Sequence, residues 1–431
     1  MAEEKFTAVV VGAGPAGSTA AYTMAREGLD VLLIDRADSP GAKNMFGGRM
    51  YSYALNRVIP GFWEEAPLER PVVREAMVIV DGERVVTFTC QDEKWLKEPH
   101  HSFTLFRAEF DAWLAGKAEE AGALLACGIR VDDVLMKDGK VVGVRAGEDE
   151  ILADVVIAAD GANSLITEKT GLRKKVLARE VATGVKQVIE LPPGAINERF
   201  NLAGDGGQAS LYIGDCTKGM TGGGFLYTNK SSISLGLVIK ASELQDDQYR
   251  IVDLIEDFKV HPAIAPLIEG GEVVEYSAHL VPEGGMSMMP TLVSDGILVT
   301  GDAAGFVLNL GYQVRGMDLA IASGQAAAQA VLKAKSNNDF TKEGLKGYLD
   351  FLKQNLVLSE MEFYKEAPHF LENKRFYKTY PSLISATFSE MFTVNGSPPV
   401  HLLGRFMSQL KMNGIGLGRL VGDIWKGVRV F

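Results

Sequence analysis

The chain has 431 residues, 47% of them hydrophobic and 23% charged, with a formal net charge of −11. Two or three domains of ordinary globular composition are expected at that length. The acidic balance excludes a general nucleic-acid surface, which needs a basic face, so no nucleic acid is expected among the partners. Residues 1–5 are acidic and run straight into an apolar strand, so no signal peptide is expected. No stretch reaches the about eighteen uncharged apolar residues of a spanning helix. The expectation is a cytoplasmic protein, or one attached to a membrane from that side. Cys90, Cys127 and Cys216 are widely separated, form no CxxC pair and fall short of the usual ligand set of an iron–sulfur cluster. Each is expected to be a buried or half-buried free thiol, and no metal site is expected.

The first element, Val9-Val10-Val11, breaks into Gly12-Ala13-Gly14-Pro15-Ala16-Gly17 and then into a helix-favouring run from Ser18. This predicts a buried strand, a tight turn and a helix start. Gly12 permits the turn, Gly14 lets backbone approach a pyrophosphate, and Gly17 lets the helix pack close on the strand. Pro15 suits a first helical turn, and Ala16 lies in the same turn. The N–H groups of that helix end favour a diphosphate. A second strand, Val31-Leu32-Leu33-Ile34, ends in Asp35, placed to accept from a ribose hydroxyl. The alternative is a glycine-rich turn in an ordinary α/β sheet.

Residues 39–49 read as loop and would lie over a bound dinucleotide. Residues 77–80 and 84–88 flank Asp81-Gly82, a hairpin signal. An amphipathic helix follows from Arg107, with Phe110, Trp113 and Leu114 on one face. Strands are expected at 123–126 and 128–134, a hairpin at 134–136 and 141–144, and a nearly all-apolar strand at 152–159 before Asp160-Gly161. From Val181 the texture turns β-rich, with candidates at 181–191, 209–213, 223–227, 233–239 and 272–280 and a helical patch at 251–260. This reads as a half-exposed antiparallel sheet. Dinucleotide-type sequence returns at 296–305, followed by a helical run over 315–335. Pieces of one nucleotide-binding fold thus lie near residues 5 and 300, so the β-rich middle must be inserted into it. The remainder, 340–431, is mostly helical by pattern.

Gly12 to Gly17 alone does not separate NAD from FAD. Gly301-Asp302 could place a carboxylate on a ribityl hydroxyl, or could simply be a strand-to-loop turn. Residues 311–317 can bring backbone close to a flavin ring, and the following helix would point its positive end at the ring's N1/O2 edge.

These motifs, with Arg107, Phe110, Asp111 and Leu114 spaced as Arg-x-x-Phe-Asp-x-x-Leu, resemble the glutathione-reductase-like FAD proteins of the p-hydroxybenzoate-hydroxylase and geranylgeranyl-reductase group. The chain is more closely similar to FixC-type relatives of electron-transfer-flavoprotein:quinone oxidoreductase. The residues carrying this are Gly41-Ala42-Lys43-Asn44, Gly47-Gly48-Arg49, Gly222-Gly223-Gly224-Phe225-Leu226-Tyr227, Glu275-Tyr276-Ser277-Ala278-His279, Asn309-Leu310-Gly311 and Arg315-Gly316-Met317-Asp318-Leu319-Ala320. The implied fold is α/β: a Rossmann-like FAD-binding domain (1–70, 101–180 and 291–340), an inserted antiparallel β-rich quinone or substrate domain (71–100 and 181–290) and a helical C-terminal region (341–431). The resemblance places FAD on Gly12, Gly14, Pro15, Ala16, Gly17, Asp35, Arg36, Gly48, Arg49, Arg107, Val131, Ala159, Asp160, Gly161, Gly301, Asp302, Val314, Arg315, Gly316 and Met317. Arg107 can meet phosphate or ribityl oxygens, or form a surface ion pair.

The implied function is FAD-dependent quinone reduction within an electron-bifurcating complex. Its partners would be two electron-transfer-flavoprotein subunits and a small ferredoxin-like subunit, with peripheral contact to the cytoplasmic membrane. The longer quinone oxidoreductases carry a cysteine-bearing ferredoxin-like domain at their end, and none is expected here. Gly223, Gly224, Phe225 and Met289 are the quinone-site candidates, although the two glycines also suit a sheet bend. Thr221 stands where the longer enzymes have an aromatic, which puts a shared headgroup contact in doubt. His279 is a candidate proton relay or a structural hydrogen-bonded histidine. The loop 282–290 is a lipid-dipping segment or a Met-padded lid. Residues 367–397, including Arg375, are expected to dock the ferredoxin-like partner. The tail 411–431 suits lipid headgroups or an acidic protein surface, or packs on the core with a solvated basic face. The alternatives for the whole chain are a stand-alone FAD reductase or monooxygenase and a non-catalytic electron relay.

Overall fold

The computed structural model describes residues 5–42, 48–244 and 248–431. The Lys5–Val11 strand is buried from Thr7 onward and pairs in parallel with Val31–Ile34 on one side and Asp149–Ala158 on the other. Ile297–Val299 adds to the far edge of Asp149–Ala158, also in parallel, and Leu124–Ala126 adds beyond Val31–Ile34. Strands from the beginning, middle and later part of the sequence therefore share one sheet. Parallel pairing needs crossovers that cover the sheet, which is why these strands are apolar on both faces. The Pro15–Arg26 helix packs on the 21-residue Met317–Asn337 helix through small residues. A Cβ on Gly324 would lie 2.1 Å from the Ala16 carbonyl oxygen, so only glycine allows that approach.

A second, seven-stranded sheet has the order Glu272–Pro282, Val181–Glu190, Ser232–Lys240, Gly222–Thr228, Gly207–Gly214, Val72–Asp81 and Arg84–Gln91. It departs from the antiparallel expectation at one ladder: Gly207–Gly214 runs parallel to Val72–Asp81. One face packs on the Ile251–Lys259 helix through Leu254, Ile255 and Phe258, forming a core separate from that of the first sheet.

Three further sequence expectations shift. Residues 128–132 are not strand: Gly128 takes a φ of +73°, and the amides of Gly128 and Ile129 donate to the carbonyls of Ala37 and Asp35 instead of a ladder. The long helix starts at Met317 rather than at 315, because Val314-Arg315 pairs with Leu308-Asn309 in a two-stranded ladder. Cys90 is exposed rather than buried or half-buried, whereas Cys216 is buried and Cys127 intermediate, as expected. Among the described residues no group of three or more His, Cys, Asp or Glu side chains is arranged to hold a metal ion, and no helix is long and apolar enough to cross a membrane.

The C-terminal part is helical, including Ala367–Leu371, Thr379–Phe392, Leu402–Met412 and Leu417–Val430. The last helix is inverted relative to a core-packed amphipathic helix. Its buried residue is Asp423, whereas Leu417, Val421, Ile424, Trp425 and Val428 are exposed. Asp423 accepts from Arg375 Nε at 2.7 Å and Nη2 at 2.8 Å, and from the Tyr380 hydroxyl.

Candidate functional site

One cleft of about 430 Å³ runs from the first sheet's carboxyl edge to the inner face of the second sheet. Its first wall is the turn after Lys5–Val11. Gly12 sits at φ +106°, and a Cβ there would come within 2.3 Å of the Ala159 carbonyl oxygen. Gly14 ends the turn with no side-chain cap on the helix that Pro15 begins, and that helix has no acidic residue in its first turn. Unpaired amides and an unopposed helix dipole therefore face the cleft, as an anion site requires. Gly17 and Gly301 do not line the cleft. Their smallness sets the packing behind it: a Cβ on Gly17 would lie 1.9 Å from the Gly12 oxygen, and one on Gly301 would lie 2.8 Å from the Ala16 Cβ.

Asp35 lies on the cleft wall and accepts from the amides of Ala13 and Ala37, each at 2.8 Å, so its carboxylate also braces the glycine turn. Arg36, Val131, Ala159 and Gly161 line the same end. Asp160 accepts from the Ile166 amide at 2.9 Å through Oδ2, while its buried Oδ1 has no partner. Burial pushes this carboxyl up to about 6, against the pull of neighbouring amides and Arg173. An orphaned acceptor beside glycine-cradled amides fits a ligand bearing both phosphates and hydroxyl donors.

Arg107, at the start of the Arg107–Glu120 helix, makes a two-pronged pair with Asp111: Nε to Oδ1 at 2.8 Å and Nη2 to Oδ2 at 2.6 Å, both residues buried. The surface-pair alternative is thereby corrected, because one turn of helix spaces the two ions inside the protein. Asp302 lies in the field of Arg107, and burial holds its carboxyl above the usual range. Asp111 belonged to the sequence motif but had no assigned role; positioning Arg107 is what it does.

Gly48 and Arg49 also border the cleft. Arg49 is held by Glu75, by the Ser102 hydroxyl at 3.1 Å, and over the Tyr51 ring at 4.5 Å. Arg315 donates to Asp318, Glu360 and the Tyr53 hydroxyl. Arg315 lines the cleft with Val314, Gly316 and Met317, while its guanidinium ties three elements together. Glu75 and Tyr53 carried no sequence signal, since they lie far in the chain from Arg49 and Arg315, whereas Tyr51 is two residues from Arg49. Lys43, Asn44 and Gly47 lie outside the described residues.

At the far end, Gly223, Gly224 and Phe225 border the cleft. Phe225 stacks on Tyr227 at 5.0 Å and lies over Gly236, where a Cβ would meet its ring at 2.3 Å. Gly224 is small for a different reason: a Cβ there would press on Phe258 at 2.9 Å, in the sheet's own core. Met289 does not line the cleft and packs against the main core. The segment around it is a short helical turn, Gly285–Met288, with Met288 buried, so its methionines do not form an exposed lid. His279 borders the cleft with its buried Nε2 unpartnered. Burial, then Arg107 and Arg36, pull it down to about 4, so it is neutral at physiological pH and faces the phosphate end.

Residues 8–168 match the model of the FAD dependent oxidoreductase family, and residues 367–431 match the ETF-QO/FixC family C-terminal domain. The chain is 47% identical over 430 residues to Protein FixC of Salmonella typhi, covering 100% of both. It is 48% identical over 427 residues to the Probable electron transfer flavoprotein-quinone oxidoreductase YdiS of Escherichia coli strain K12, covering 99% of both. Among solved structures, a geranylgeranyl bacteriochlorophyll reductase-like protein from Thermoplasma acidophilum superposes with a TM-score of 0.74 at 20% identity, covering 99% of this chain and 100% of that one. Halogenase PltM, in a mutant form complexed with FAD, gives 0.62 at 15% identity, covering 89% and 80% respectively. These structures show the fold. The full-length relatives show the family, and with the cleft described above the conclusion is that this chain is an FAD-dependent oxidoreductase belonging to the FixC/ETF-QO family.

Proposed function

We propose that the chain takes electrons from an electron-transfer-flavoprotein partner through its FAD and passes them to a membrane quinone, as one subunit of an electron-bifurcating complex. The observation that carries this reading is the continuity of the cleft. A cradle with phosphate- and hydroxyl-binding character runs without interruption into an end walled by Gly223, Phe225 and Tyr227, where a flat apolar ligand could meet the flavin. The relative named as a probable quinone oxidoreductase supports the same acceptor. When bound, FAD supplies two-electron and one-electron chemistry. The residues of the chain do the rest. The Gly12 to Ala16 turn and Arg107 would hold the diphosphate, Asp35 the ribose, Asp160 and Asp302 the hydroxyls. The backbone of 314–317 would border the ring, and the aromatic wall would exclude water.

In this reading the FAD-binding domain comprises 1–70, 101–180 and 291–340, the quinone domain 71–100 and 181–290, and the docking region 341–431. Residues 367–397 meet a small ferredoxin-like subunit, and the outer face of Leu417–Val430 rests on the cytoplasmic membrane. That face combines exposed Trp425, Ile424 and Val428 with Arg419, Lys426 and Arg429, a pattern suited to an anionic interface. Arg375 serves the docking region indirectly, by pinning the last helix through Asp423.

The test is NADH-driven reduction of menaquinone and ubiquinone analogues by the purified complex, with and without this subunit. Loss of quinone reduction without the chain, or with the chain stripped of FAD, is expected; undiminished reduction would refute the reading. Rapid NAD(P)H oxidation by the isolated chain would instead favour a stand-alone reductase or monooxygenase. Normal assembly with no quinone reduction would favour a relay.

A further inference from the structure

We propose that Glu283 is a proton donor to the ligand reduced in the cleft, and that it is reprotonated from the surface through a second cavity. The inference rests on the quinone reading above. Glu283 follows the Glu272–Pro282 strand, and its amide donates to the Glu180 carbonyl at 2.7 Å, which fixes the backbone. Its carboxylate faces Asn309, whose Nδ2 is 3.4 Å from each oxygen. Glu283 and Asn309, with Val307 and Pro368, line both the main cleft and a separate cavity of about 20 Å³. Beyond them that cavity is bounded by Met361, Tyr364 and the exposed Lys365. Its size admits a single water, and the site has the polar partners that a water needs. The carboxyl thus forms part of a wall shared by the reaction cleft and a cavity bounded on its far side by the exposed Lys365.

Among the described residues, the charged and titratable groups around it include Lys240, Glu243, Glu372, Tyr377, Tyr364, Lys365 and His279. Lys240 borders the cleft, ion-paired to Glu372, and Tyr377 donates its hydroxyl to the Leu371 carbonyl. Tyr364 and Lys365 stand across the second cavity, and His279 lies on the preceding strand, neutral. Burial pushes the Glu283 carboxyl up to about 7, against the opposing pull of Asn309 and Lys240, so protonated and ionised forms are both accessible near neutrality. The stoichiometry closes. A quinone becomes a quinol by taking two electrons and two protons. Bound FAD, when reduced, would be the source of the two electrons and one proton; Glu283 would break its O–H bond to give the second proton, and its carboxylate would regain one from solvent.

The test compares holoprotein of wild type, Glu283→Gln and Glu283→Asp with two acceptors, a short-chain quinone and ferricenium, which takes one electron and no proton. The ratio of quinone to ferricenium rate is expected to fall about a hundredfold in Glu283→Gln, the lower range for loss of a general acid. In wild type that ratio should decline as pH rises through about 7; Glu283→Asp should keep a decline, and Glu283→Gln should lose it. Independently of turnover, infrared difference spectra should show a carboxylic C=O band titrating near neutrality in wild type and absent from Glu283→Gln. An unchanged ratio in Glu283→Gln, or no such band in wild type, would overturn the proposal. Wild-type protein that reduces ferricenium but no quinone would overturn the quinone reading itself, and the inference with it.

Discussion

Replacing Asp111 with Asn tests the central ion pair of the site. Arg107 and Asp111 are 8% and 1% exposed, so the pair is screened little by water. Truncating one partner of such a pair typically costs about 3–5 kcal/mol, and less here because Asp302 also lies in the field of Arg107. Asn keeps the shape and one acceptor oxygen but turns an amide donor toward the guanidinium. One of the two charge-assisted bonds, at 2.8 Å and 2.6 Å, is therefore lost outright. A loss of about 1.5–3 kcal/mol is expected for Asp111→Asn and more for Asp111→Ala. The assay is denaturant unfolding of cofactor-free protein together with FAD titration. Misplacing the guanidinium should also weaken FAD binding, by about tenfold for each 1.4 kcal/mol of positioning lost. A stability change below about 0.5 kcal/mol with unchanged FAD affinity, in the range of an ordinary surface substitution, would refute the argument that Asp111 holds Arg107 for the cofactor.

Three further outcomes are expected. Gly17→Ala should yield protein with little bound flavin, read as the flavin-to-protein absorbance ratio, because its Cβ would lie 1.9 Å from the Gly12 oxygen and push the phosphate-facing helix away; full occupancy would count against the packing argument. FAD affinity should rise with pH through about 6 as Asp160 ionises to accept a cofactor hydroxyl, and Asp160→Asn should flatten that profile. Because this pKa is raised in the folded chain, the cofactor-free protein should lose stability as pH climbs from about 4 to about 6; a rise over that window would contradict the assignment. Asp423→Ala should speed hydrogen exchange across residues 417–430 while leaving the first sheet protected, at a cost of about 1–2 kcal/mol, moderated because Arg375 is one-third exposed. Burial opposes the Asp423 charge, but bonds from Tyr380 and Arg375 outweigh it and hold the carboxyl below the usual range, so this contribution should be present above about pH 4 and fade in acid.

Much of this architecture was legible in the sequence because its determinants are local. The glycine turn, the Pro15 helix start and the acid after Val31–Ile34 announce a dinucleotide cradle through spacing alone, and the family motifs extended that to FAD. Strand positions in the second sheet followed from alternation and turn residues. What only the tertiary structure decided are relations between residues distant in the chain. The parallel ladder between Gly207–Gly214 and Val72–Asp81 is such a relation, as are the Arg49–Glu75 pair and the anchoring of Asp423 by Arg375. The same holds for two signals the sequence left open. Gly224 borders the cleft, yet its missing side chain makes room for Phe258 in the sheet's own core, and the methionines of 286–289 look like a lid until Met288 is seen to be buried. Glu283 carries no pattern at all, since its character comes from the cavities on either side of it. Periodicity and turn chemistry are written in neighbouring residues, whereas burial, ion pairing and cavity walls depend on which segments the fold brings together.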